Sequence, residues 1–171
     1  LAAHQIALNS AAFTFMVPLG LSAAAAVRVG QALGRGDPPA ARRAGWTALA
    51  TGVAFMTTAA LAFLLAPGAI MRLFTADPDV LARGAALLLI AAAFQLFDGT
   101  QVVLTGALRG TGDTRTPMLA NLVGYWLFGL PVGYWLCFVR GVGVPGLWLG
   151  LCLGLVTVAL TLLLVWMRRS R

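Results

Sequence analysis

The sequence contains no lysine and no glutamate, and only five aspartates. Charged residues fill 10% of its 171 positions, where a soluble domain would carry about 25%. That shortage excludes an ordinary water-facing surface. One histidine is present, His4, and neither a GxSxG nor an HExxH pattern occurs. The converging reactive groups that an enzyme needs are missing, so the chain reads as a non-enzyme. His4 reads as an interfacial polar residue at the end of the first apolar run. Cys137 and Cys152 both lie inside hydrophobic runs, at a spacing that fits no zinc or redox motif. They read as small packing residues, and neither a metal site nor a cofactor is expected. Ten-residue segments of alternating polarity are absent as well, which argues against a transmembrane β-barrel.

What is present is apolar. The chain is 60% hydrophobic, with a mean hydropathy of +0.90. A bilayer core of ~30 Å takes about 20 apolar residues as helix. Five runs are long enough: about residues 6–27, 46–65, 84–108, 118–139 and 144–167. The fold class is therefore all-α, a polytopic bundle of five membrane-spanning helices.

The net charge of +7 comes entirely from arginine. These arginines lie between the apolar runs, so topology explains them better than a nucleic-acid partner. Arg28, Arg35, Arg42, Arg43, Arg109, Arg115, Arg168, Arg169 and Arg171 fall on one side. Arg72, Arg83 and Arg140 fall on the other. By the positive-inside rule, the nine-arginine side is cytoplasmic, with the C-terminus inside. The first helix then enters from outside. With Leu1 in place of an initiator Met, the chain reads as the C-terminal piece of a longer protein, with membrane lipid around it.

Asp98 sits in the run 84–108, which holds no other charge. A carboxylate at that depth costs roughly 3 kcal/mol unless it is solvated or paired, and such residues mark ion or proton pathways by default. The four other aspartates lie in loops. Asp98 belongs to a stripe formed by Gln95, Asp98, Gln101 and Thr105. At 100° per residue the stripe covers about 120° of the helix. Such a stripe faces a bundle interior or a water-filled cavity.

Other features read as architecture. Pro18 and Pro131 lack a donor N–H and predict kinks in the first and fourth helices, which makes them hinge candidates. Asp37 and Asp77 precede helix starts as caps. The loop 109–117 is glycine-rich but lacks the strand and the lysine of a phosphate loop. It reads as a tight turn, with Asp113, Thr114 or Thr116 capping the next helix and Pro117 opening it. Tyr134 and Trp135 suit an interfacial aromatic belt. Tyr125 and Trp126 lie deeper, as cavity lining or as core. Gly129 with Gly133, and Gly146 with Gly150 and Gly154, repeat at the spacing that lets helices approach closely.

These patterns leave two classes open: an ion-coupled carrier, and a non-catalytic membrane assembly subunit. A buried carboxylate in a polar stripe favours the carrier. The chain also resembles the MATE (multidrug and toxin extrusion) family of efflux transporters. The resemblance runs through residues 2–9 (AAHQIALN), 16–22 (MVPLGLS) and 27–34 (VRVGQALG). It is strongest across 101–117, where GALRG precedes GDTRTP. It implies a twelve-helix fold in two lobes, with these five helices as the eighth to twelfth. The first lobe and the seventh helix would then lie outside this chain. It further implies exchange of organic cations for sodium ions or protons across a bacterial inner membrane. On that reading Asp98 is the coupling acid, assisted by Gln101. Gln95, Thr105, Asn9 and Tyr125 are candidates for the substrate cavity. A lipid-linked precursor flippase is the alternative within the superfamily, but it would want arginines at mid-membrane, and none lie there.

Overall fold

The computed structural model describes residues 2–170. Arg171, one of the nine arginines assigned to the cytoplasmic side, lies outside them. All five apolar runs are helical and long enough to cross a bilayer. The chain forms α1 (Ala2–Gly34), α2 (Pro38–Leu65), the short α3 (Pro67–Arg72) and α4 (Pro78–Gly110). The fourth span, Arg115–Val139, is composite. It comprises α5 (Arg115–Leu122), a π-helical segment (Val123–Gly129), α6 (Leu130–Tyr134) and a second π segment (Trp135–Val139). The last helix is α7 (Val144–Arg169).

The helices extend beyond the apolar runs because caps, not hydropathy, set their ends. Asp37 accepts the Ala40 N–H at 2.9 Å and starts α2 well before Trp46. Asp77 does the same for α4, accepting from Asp79 at 2.9 Å. Asp113 accepts the Thr116 N–H at 3.0 Å and starts the fourth span. Each supplies an acceptor to one of the four N–H groups that a helix start leaves unpaired. Gly112, at φ 83°, makes the turn before Asp113, a conformation open to glycine at no steric cost.

α4 is the central helix and packs against α1, α2 and α7. Its glycines permit this closeness. A Cβ on Gly106 would collide with the backbone carbonyl of Ser22 in α1. α7 packs on the fourth span in the same way. A Cβ on Gly150 would strike the backbone of Gly133, and one on Gly154 would come 3.0 Å from the Gly124 carbonyl. The two glycine series expected from the sequence therefore face each other. In lipid, where no hydrophobic drive separates helix from tail, such close packing is a main source of association.

Large apolar side chains stay on the outside, among them Phe13, Leu65, Trp126 and Leu127. With five apolar helices, this describes a multi-pass membrane protein. α1 runs unbroken through Pro18, which is buried.

Candidate functional site

The polar stripe of α4 is buried at two of its four residues and half-buried at the other two. Gln95 is fully buried in the α1–α4 interface. Its Nε2 donates to Thr14 Oγ1 at 2.7 Å, and Thr14 in turn donates to the Ala11 carbonyl at 2.8 Å. Thr105 is also buried, with its hydroxyl turned back onto the Gln101 carbonyl at 2.8 Å. Neither residue lines open space. Asp98 and Gln101 are half-buried on the flank of the helix. Gln101 Nε2 makes a long 3.5 Å contact with Asp98 Oδ1. Around the helix Thr105 lies between Asp98 and Gln101, so the division follows position along α4 and not the edges of the stripe.

Beside that flank is a cavity of about 340 Å³, lined by His4, Leu8, Phe94, Tyr125, Trp148, Leu151 and Leu155. Phe94 is one turn from Asp98 on the same face of α4. The walls are aromatic: Trp148 packs edge-on against His4 at 5.5 Å and tilts against Phe94 at 5.8 Å. Trp148 Nε1 also donates to His4 Nδ1 at 3.3 Å. His4 is thus part of the cavity wall. Trp148 and Phe94 carry no signal in the sequence, since an aromatic in an apolar helix reads as core.

Tyr125 reaches the cavity from the first π segment. Pro131 has no N–H, so the Leu127 carbonyl loses its usual donor. Just upstream, the Leu130 N–H bonds to the Tyr125 carbonyl, five residues back. Such single-turn widening is rare and concentrates at functional positions. Asn9 does not join this cavity. It is exposed on the face of α1 opposite the packed residues Ala7, Ala11 and Pro18, and it accepts from Gln5 at 3.2 Å. The arrangement is a small aromatic chamber, with the half-buried Asp98 one helical turn from its Phe94 wall.

The MatE family profile matches residues 1–135. The chain belongs to the MatE family. It is 54% identical to the multidrug resistance protein NorM of Burkholderia vietnamiensis, over 97% of this chain and 37% of that protein. It is 51% identical to a probable multidrug resistance protein NorM of Burkholderia pseudomallei, over 97% of this chain and 36% of that one. The crystal structure of the eukaryotic MATE transporter AtDTX14 superposes with a TM-score of 0.88 at 26% identity. That match covers 99% of this chain and 39% of the other. This MatE chain therefore spans little more than a third of the length of the curated relatives it matches.

Proposed function

We propose that this MatE chain is the ion-coupling part of a longer multidrug efflux transporter of a bacterial inner membrane. Membership of the family sets it among transporters rather than enzymes. The observation that carries the reading is Asp98, a lone half-buried carboxylate in a membrane helix, one turn from the Phe94 wall of an aromatic cavity. An organic cation is held there by the carboxylate and by the faces of Tyr125, Phe94 and Trp148. A sodium ion or proton from outside then neutralises the carboxylate, and drug affinity falls. Helix packing shifts around Pro18 or Pro131, the drug leaves outward, and the ion leaves inward. One carboxylate serves drug and ion in turn, which yields exchange. The nine-arginine side is cytoplasmic, and a further lobe completes the path.

The test is efflux of a fluorescent organic cation by the complete gene product in a drug-sensitive bacterium. Wild type is compared with Asp98→Asn while the sodium and proton gradients are collapsed separately. Loss of efflux in the variant, with dependence on one gradient, supports the reading and names the ion. Unchanged efflux in Asp98→Asn would remove Asp98 from the mechanism.

A further inference from the structure

Where the arginines gather at one end of the bundle, a groove of about 480 Å³ opens between the start of α2 and the end of α7. Arg42, Arg43 and Arg169 line it together with Thr111, Leu33 and Trp166. We propose that this groove binds the phosphate headgroup of an anionic membrane phospholipid.

Three independent observations meet here. The first is charge. Arg169 is held by Asp113 at 2.7 Å, while Arg42 and Arg43 are exposed and have no carboxylate within ion-pair range among the described residues. Asp37, at the groove's edge, turns its carboxylate onto the Ala40 N–H. Two unpaired guanidiniums therefore face an apolar recess, and their planar forks suit phosphate oxygens.

The second is Trp166. It lines the groove and is 97% buried, and its Nε1 finds no acceptor among the described residues. Buried indole N–H groups are nearly always bonded. A headgroup oxygen that enters below the rim of the groove would supply the acceptor this donor lacks.

The third is depth. The groove lies where two spans end, so its mouth is at the headgroup level and its walls run into the apolar bundle. A lipid satisfies both halves at once. A free anion would satisfy only the polar half and leave the apolar walls uncovered.

The test uses the complete gene product, purified in a neutral detergent. Its thermal unfolding midpoint is followed against phosphatidylglycerol, phosphatidylcholine and inorganic phosphate. Phosphatidylglycerol should raise the midpoint above the value in phosphatidylcholine, and inorganic phosphate alone should not. Arg42→Gln with Arg43→Gln should require about tenfold more phosphatidylglycerol for the half-maximal shift, as expected when charge-assisted bonds are lost. Arg140→Gln, at the opposite end, should leave the shift intact. If the double variant does not fold, Trp166→Phe keeps the ring and removes the N–H, and it should also weaken the shift. An equal shift in wild type and in the folded variants would overturn the proposal. So would an equal shift from inorganic phosphate, which would make the groove a free-anion site.

Discussion

Gln95 of α4 donates to Thr14 of α1 at 2.7 Å, beside the point where Pro18 interrupts the hydrogen-bond ladder of α1. Pro18 cannot donate to the Thr14 carbonyl, four residues back. The side chain of the same threonine carries the only side-chain hydrogen bond between α1 and α4 among the described residues. The weakest point of α1 is therefore tied to the helix that carries Asp98, three residues beyond Gln95.

This tie should be measurable. Thr14→Val keeps the shape and removes the hydroxyl, and should lower stability by about 1 kcal/mol, the scale of side-chain bonds between membrane helices. Thr14→Ser should cost little. Gln95→Leu combined with Thr14→Val should destabilise less than the sum of the two singles, because both remove one interaction. Unfolding midpoints in detergent for the four variants check this, and simple additivity would show that the bond contributes nothing.

The glycine contacts predict a sharp contrast between positions. Gly106→Ala and Gly150→Ala each force a methyl into the backbone of the neighbouring helix. Overpacking of this kind costs about 1–3 kcal/mol. Gly20→Ala, with nothing within 4 Å of the new Cβ, should be neutral or slightly stabilising through helix propensity. Yield and unfolding midpoint of the three purified variants decide it.

On the proposed reading of Asp98 as the coupling acid, Gln101 and Tyr125 should modulate efflux. Gln101→Leu removes a long, weak contact with Asp98. It should raise the coupling-ion concentration for half-maximal efflux by less than about tenfold, under 1.4 kcal/mol. Tyr125→Ala should weaken efflux more than Tyr125→Phe, because the ring lines the cavity. Dose-response curves of efflux against sodium and pH separate these effects. Equal loss in Tyr125→Phe would point to the hydroxyl instead.

Asp113 supplies a pH-dependent term outside the membrane. Hydrogen bonds from Thr116, with the nearby Arg169 guanidinium, hold its carboxyl below the ordinary aspartate range. A lowered folded-state value stabilises the fold above the unfolded value of about 3.9, and that contribution is lost as pH falls below it. Asp113→Asn should therefore unfold earlier than wild type at pH 7, with the gap closing below about pH 4. Unfolding midpoints between pH 7 and pH 3 test it. A constant gap would assign the effect to shape rather than charge.

Much of the architecture was legible in the residues. Hydropathy located the five spans, Asp37, Asp77 and Asp113 marked helix starts, and the paired glycine series marked close packing. These signals are local, acting within a few residues of the chain. The candidate site was legible in part. Asp98 stood out because an unpaired acid in an apolar run is costly wherever the helix points. The spacing of Gln95 and Thr105 placed them beside it, but spacing cannot tell which positions along the stripe a neighbouring helix will cover.

The sequence by itself determined the membrane class, the number of spans and the lone acid, since each follows from transfer energies and local backbone chemistry. Only the tertiary structure decided that the Gln95 amide nitrogen donates to Thr14, that Asn9 faces away, and that His4 and Trp148 build a cavity wall. It alone brought Arg42, Arg43 and Trp166 into one groove. These outcomes depend on how helices distant in the chain rotate and approach. That is set by glycine contacts and by the widening before Pro131, which act across the bundle rather than along the chain.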